Sequence, residues 1–282
     1  MYEHLQSIAM MSPDRIRPAA VAGMFYPGDR QALAQTLDAM LAACARQPAP
    51  QPAPKAIIVP HAGYIYSGPV AASAYALLGA ARSSIRRVVL LGPAHRVAVR
   101  GLALPAAGKF ATPLGTIDVD RDAVAMLRKL PQITVSDEAH ALEHSLEVHL
   151  PFLQTVLEKF TLVPLAVGHA DPAAVAAVLD ALWGGPETLV VISTDLSHYH
   201  SHREAQRMDR ETADAILDSR TDITQEQPFG ATPVTGLAII ARRRGLTPEL
   251  VDLRNSGDTA GDKNRVVGYG AFAYFENGRH AH

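Results

Sequence analysis

Residues Lys55–Gly63 read KAIIVPHAG, a short unbroken apolar run that stops at Pro60 and passes at once into His61. The pattern recurs. Arg87–Gly92 (RVVLLG) leads through Pro93 and Ala94 to His95, Phe160–Gly168 (FTLVPLAVG) ends on His169, and Thr188–Thr194 (TLVVIST) leads through Asp195 to His198. A fifth run, Val266–Phe275 (VVGYGAFAYF), has the same character. Apolar runs of this length without polar alternation suit strands buried on both faces. Helical spacing of Leu33, Leu37, Met40 and Leu41 predicts a helix over Arg30–Ala45. Further Ala-rich helical stretches cover Val70–Ala81, Ala123–Leu130, Pro172–Trp183, Arg203–Ser219 and Pro233–Arg243. Strands alternating with helices predict an α/β fold with a central, largely parallel or mixed sheet flanked by helices.

In open α/β sheets, ligands bind outside the carboxyl ends of the strands. Parallel strands would therefore bring several of His61, His95, His169 and His198 to one cleft, where imidazoles serve metal ligation or proton transfer. His61 lies in PHAGYIYSG and His95 in GPAHR, both tight turns after a buried run. Taken singly, each also reads as a hydrogen-bonded structural histidine. In STDLSHYHSH, Asp195 precedes His198 by three residues, which on a helix places both on one face and lets the carboxylate orient the imidazole. The competing reading makes Asp195 or Ser197 the cap of the following helix. His200 and His202 read as solvated neighbours or as part of an HxHxH metal strip. EHSLEVHLPFL holds Glu143, His144, Glu147 and His149; the pair His144 and Glu147 lines a site or opens a solvated helix. His169 reads as structural or exposed, and His4, His280 and His282 lie in the termini.

The chain has 282 residues, of which 48% are apolar and 19% charged, with a formal net charge of −2, 12 histidines and 1 cysteine. That balance argues against a nucleic-acid binder, which carries a basic stripe. The single cysteine, Cys44, forms no intrachain disulfide and excludes Cys-rich zinc frameworks. No apolar run reaches the roughly 20 residues of a membrane span. The first residues lack the apolar stretch of a signal peptide, so the expected location is cytoplasmic, with no membrane partner. No repeat or composition break divides the chain, which reads as one domain over 1–282. Residues 1–19 and 277–282 read as tails. QPAPQPAP at 47–54 reads as a stiff polyproline II spacer. No GxSxG elbow supports a serine hydrolase.

Seven segments, in this order, resemble the Memo family, which includes the bacterial AmmeMemoRadiSam system protein B. They are AGMFYPGD (22–29), VPHAGYIYSGPVAASAY (59–75), LLGPAHR (90–96), ATPLGTIDVD (111–120), EHSLEVHLPFL (143–153), STDLSHY (193–199) and DTAGDKNRVVGYGAFAYF (258–275). The resemblance implies a fold like that of the class III extradiol ring-cleaving dioxygenases, which use non-haem iron. It implies that His61 and His95 are metal ligands, that His198 is an acid/base histidine with Asp195 as companion, and that His144 faces the same cleft as a third catalytic candidate. The implied cofactor is Fe(II) or another divalent transition metal.

One position departs from the family pattern. Many members carry a cysteine in a CGxxP-type motif as third metal ligand. Aligning Gly230 and Pro233 of PFGATP (228–233) puts Phe229 there. Spacing indicates no replacement, and Asp195, His198 and Glu147 are the groups at hand. The expected function is a metal-dependent, dioxygenase-like redox enzyme of unknown substrate. The alternative is a non-catalytic accessory protein that binds a small molecule or peptide in the cleft and acts with a radical S-adenosylmethionine partner. Arg96, Arg100 and Arg265 read as solvated arginines or as contacts to an anionic ligand.

Overall fold

All five apolar runs become strands of one sheet. The computed structural model describes residues 12–44, 52–223 and 230–276. In chain order it contains β1 (Ser12–Arg17), α1 (Arg30–Cys44), β2 (Ala56–Val59), α2 (Tyr64–Tyr75), β3 (Arg87–Pro93), β4 (Leu102–Leu104), β5 (Ala107–Thr112), β6 (Gly115–Asp118), α3 (Arg121–Leu127), β7 (Ile133–Val135), α4 (Asp137–Ala141), α5 (Leu150–Val156), β8 (Thr161–Val167), α6 (Pro172–Leu182), β9 (Thr188–Ser193), β10 (His198–His200), α7 (His202–Leu217), α8 (Ala231–Arg244), β11 (Leu246–Asn255) and β12 (Val266–Glu276). The large sheet runs β10-β12-β2-β9-β3-β8-β4-β7, with β11 also paired to β12; β1, β5 and β6 form a small separate sheet.

The centre of the large sheet is parallel: β2 with β9, β9 with β3, and β3 with β8. Antiparallel strands flank it, β12 beside β2 and β4 beside β8. The central strands are apolar between their ends, as strands covered on both faces are; every residue of β2 and β9 is buried. Their register decides where the site lies. Val59 pairs with Ser193 and Leu91 with Ile192, so β2, β9 and β3 end nearly level. The segments that follow them open at one edge.

Several boundaries depart from expectation for local reasons. Helix α2 begins at Tyr64, six residues before the Ala-rich stretch, with Pro69 inside it. Gly68 and Pro69 mask this helix in the sequence, yet Gly68 lies where a Cβ would meet Met40 Sδ at 2.8 Å. Residues 195–198 are not helical: they cross from β9 to β10, and the helix starts only at His202. Strands β1, β4 to β7, β10 and β11 carry no long apolar run; β11 is mostly half-buried, with polar residues throughout.

A buried network fixes the chain before α1. Arg17 donates from Nε to the His140 carbonyl (2.9 Å), from Nη2 to the Glu143 carbonyl (2.7 Å) and from Nη1 to Glu147. Glu147 also accepts from the amides of Ala20 (2.8 Å) and Val21 (3.0 Å) and from the Tyr26 hydroxyl (2.6 Å). A buried carboxyl group left without such partners would be costly, and here both oxygens are satisfied. The tie holds segment 17–26 against residues 140–147, and the Tyr64 amide donates to the Phe25 carbonyl (2.7 Å). Phe25 is thereby held beside the start of α2.

Among the described residues, no helix is long and apolar enough to cross a membrane. Residues 47–51 of the Pro-rich spacer, residues 1–11 and 277–282 of the two tails, and Phe229 lie outside the described residues.

Candidate functional site

His61 stands two residues past the end of β2, whose last residue, Val59, is level with Ser193 at the end of β9. Its Nδ1 lies 2.7 Å from Ser193 Oγ, and Ser193 Oγ donates its only proton to the Ser145 carbonyl at 2.7 Å. Ser193 must therefore accept from His61, so Nδ1 carries the proton and Nε2 carries the lone pair. Burial pushes the His61 pKa well below its usual value, and the neighbouring His95 and His144 push it further the same way. His61 is a neutral imidazole.

His95 follows β3 in a turn. Its amide donates to Glu143 Oε2 (2.6 Å), and its Nδ1 lies 2.9 Å from Glu143 Oε1. Burial alone would raise the Glu143 carboxyl. The hydrogen bonds from the His95 ring and from the Ser145 and His95 amides outweigh it and hold the pKa at about 2. An ionised carboxylate only accepts, so His95 Nδ1 is the donor, the tautomer that in a neutral ring puts the lone pair on Nε2. Carboxylates that hold an imidazole this way are characteristic partners of metal-ligating histidines.

His144 comes from the loop before α5. Its ring stacks on His95 (centroids 4.6 Å apart) and on Phe25 (4.7 Å), and meets His61 edge-on at 5.5 Å. Its Nδ1 lies 3.3 Å from Glu143 Oε1 without hydrogen-bond geometry and is a buried nitrogen with no partner among the described residues. Burial lowers its pKa against the opposing pull of Glu143. One ligand atom from each of His61, His95 and His144 lies within 4.8 Å of the other two. Three imidazoles, two with the proton placed on Nδ1 and the third with an orphaned nitrogen, suit a transition metal rather than magnesium or calcium. The donor set fits such an ion. His144, expected as a catalytic candidate facing the cleft, is thus grouped with the two expected ligands.

Asp195 and His198 line the same cavity, of about 650 Å³. Asp195 Oδ1 accepts from the His61 amide (2.7 Å), and Oδ2 lies 3.9 Å from His61 Nε2. Burial raises its pKa. The helical Asp195–His198 face expected from spacing does not form. Instead, His198 Nδ1 donates to the Leu196 carbonyl at 2.9 Å, which places the lone pair of the neutral ring on Nε2. Burial lowers the His198 pKa against the pull of Asp195.

Glu147 belongs to the Arg17 network and is spent there. His200 pairs with Glu204 (3.4 Å) and His202 with Asp258 (2.6 Å), not with the trio. His169 is exposed, its backbone bonded to Val99 and Gly101. Glu143 and Ser193 are the residues that motif reading left without a role. Glu143 sits directly before His144 and Ser193 ends an apolar run, but only the fold shows which imidazole each one holds. A second cavity, of about 740 Å³ beside Arg30 and Lys159, contains no histidine.

The family model described as "Memo-like protein" matches residues 17–273. Among curated relatives, a "MEMO1 family protein" of Sulfolobus acidocaldarius is 34% identical over 277 residues, covering 90% of this chain and 97% of the relative. One from Methanopyrus kandleri is 35% identical over 283 residues, covering 92% and 98%. One from Methanothermobacter thermautotrophicus is 36% identical over 277 residues, covering 90% and 98%. Among solved structures, an uncharacterized protein from Escherichia coli K12 matches with a TM-score of 0.48 at 13% identity, covering 77% of this chain and 98% of that one.

Proposed function

The chain belongs to the Memo family, and on that premise we propose that it is a metal-dependent protein acting on a small molecule by redox chemistry, with His61, His95 and His144 as ligands of one divalent transition-metal ion such as Fe(II). The observation that carries this reading is the mutual approach of the three ligand atoms, all within 4.8 Å. An ion held by three protein nitrogens keeps open positions and supplies Lewis-acid or one-electron chemistry to whatever occupies them.

The chain's own groups have separable tasks. Ser193 and Glu143 hold the His61 and His95 rings by their Nδ1 protons and leave Nε2 as the ligating atom. His198, kept neutral by burial, accepts a proton at Nε2 from a ligand in the cavity. Asp195, its pKa raised by burial, fixes the His61 backbone and exchanges a proton at Oδ2. Phe25, packed on His144, limits the access of water from that side. A cavity of about 650 Å³ accommodates a small molecule.

The test is titration of the full-length chain, stripped by chelation and kept anaerobic, with Fe(II), and in parallel with Co(II) as a spectroscopic probe. One ion per chain is expected, with a Co(II) visible spectrum typical of nitrogen ligation. His61→Ala, His95→Ala and His144→Ala should each abolish uptake. Absence of stoichiometric uptake, or uptake that survives all three substitutions, refutes the reading and leaves a metal-free binding cleft as the alternative.

A further inference from the structure

The mouth of the histidine cavity holds a cation that no carboxylate of the described chain neutralises. Arg265, on the loop before β12, lines the same cavity as His61, His95 and His144. It forms no ion pair among the described residues. Its guanidinium carbon rests 5.0 Å from the centroid of the Tyr199 ring. The nearest acid in sequence that lines the cavity, Asp262, is turned to its own turn and accepts from the Asn264 amide at 2.7 Å.

Tyr199 is placed at a conformational cost. Its φ is +64°, in the left-handed region that tyrosine rarely adopts. The residues on either side explain how it is held there. His198 pairs with Val267 and His200 with Val266, and the register slips between the two pairs. Such a bulge re-aims the side chain it carries. Tyr199 is 64% exposed, with His198 edge-on to its ring at 5.8 Å and Arg265 over its face. Backbone strain maintained at a cleft, on a side chain that braces an unpaired arginine, is characteristic of ligand clamps.

The rest of the lining defines what the arginine meets. Phe25 and Tyr66 present aromatic surface to the cavity, with the buried Tyr269 behind its wall. Arg265 is the one arginine or lysine among the residues that line the cavity, and it has no carboxylate partner among the described residues, so an anionic group on a ligand meets it there. A guanidinium fork fits a carboxylate in two parallel hydrogen bonds.

We infer that Arg265, braced by Tyr199, is the specificity-determining residue of this cleft, and that its ligand is an aromatic monocarboxylate whose ring lies against the aromatic walls. The inference rests on the reading of this cleft as the working site and names the substrate class for it.

Benzoate is the probe, titrated by calorimetry into the full-length chain stripped of metal, so that the carboxylate has no ion to bind. Saturable one-to-one binding is expected, weakened about 10- to 100-fold in Arg265→Gln and less in Arg265→Lys. Benzamide, the neutral analogue, should bind wild type as weakly as benzoate binds Arg265→Gln. Tyr199→Leu should also weaken benzoate, with the unfolding midpoint of each variant confirming an intact fold. No saturable binding, equal benzoate affinity in folded Arg265→Gln, or acetate binding as tight as benzoate overturns the inference. Co(II) uptake by wild type, measured separately, distinguishes the two failures. Uptake without benzoate discrimination removes the substrate class and leaves the metal reading. Discrimination without uptake does the reverse.

Discussion

Glu143 Oε1 lies 2.9 Å from His95 Nδ1 and 3.3 Å from His144 Nδ1, so one buried carboxylate oxygen faces two of the three clustered imidazoles. It also accepts the Ser145 amide at 2.9 Å, while Oε2 takes the His95 amide at 2.6 Å. A side chain with this many fixed donors is held ionised and orients the histidines around it. Glu143→Gln keeps the shape but removes the charge and places an amide where an acceptor is required. Metal affinity is expected to fall about 10- to 100-fold, the usual loss when such a partner is mutated, with the far-UV spectrum unchanged. Competition with a chromophoric chelator measures it.

Gly92 on β3 leaves room for the loop that carries His144. A Cβ there would meet Ser145 Oγ at 2.8 Å, Leu146 Cδ2 at 3.0 Å and Ser193 Cβ at 3.1 Å. Gly92→Ala should destabilise the fold by about 1 to 3 kcal/mol, as overpacked sites do. It should also disturb the Ser145–Ser193–His61 chain. Denaturant unfolding reads the first effect and the His61 ring resonances read the second.

The Arg17–Glu147 pair is a stability element with no direct part in the site chemistry. Arg17→Met leaves the Glu147 carboxylate, which is 0% exposed, without its counter-charge. Removing one partner of such a pair costs about 3 to 5 kcal/mol. Urea unfolding of Arg17→Met should show a loss of that size.

Two buried groups give stability opposite dependences on pH. His140 is 1% exposed and donates from Nε2 to the Ala103 carbonyl; burial pushes its pKa down to about 4 despite that bond. Between its unfolded value, 6.5, and about 4, the unfolded chain binds more protons, so its contribution is present above 6.5 and lost as pH falls through that window. The full contribution is roughly 3 kcal/mol. Asp209 is raised to about 6 by burial against the Ser197 amide bond. Its contribution is present below 3.8 and lost as pH rises through about 6. The two slopes oppose each other between pH 4 and 6, so the plot of unfolding free energy against pH should turn more negative in slope in His140→Phe and more positive in Asp209→Asn.

Much of the architecture was legible in the sequence because fully buried parallel strands leave an unmistakable apolar run. His61, His95 and His198 stood out for the same reason, each following such a run. The third member of the trio was legible only as a cleft residue. His144 follows no strand, and the family's CGxxP-type motif points to position 229 for a third ligand. The Glu143 and Ser193 contacts span 48 and 132 residues of chain, distances at which no spacing rule operates. The short flanking strands went unread because half-exposed, polar-rich segments such as β11 carry little hydrophobic signal.

The three clustered histidines are 34 and 49 residues apart in sequence, and they meet only because β2 and β3 end level in the sheet while the loop before α5 packs against them. A zinc-finger loop binds its ion with neighbours in sequence and folds around it. Here the trio is assembled only by the fold, and the unfolded chain keeps only local pairs such as those of His198, His200 and His202. An ion bound by the trio therefore stabilises the native state, by up to RT ln(1 + [L]/Kd) less whatever affinity the unfolded histidines retain. A rise in melting temperature with ion concentration then reports the difference in affinity between the folded trio and the unfolded chain.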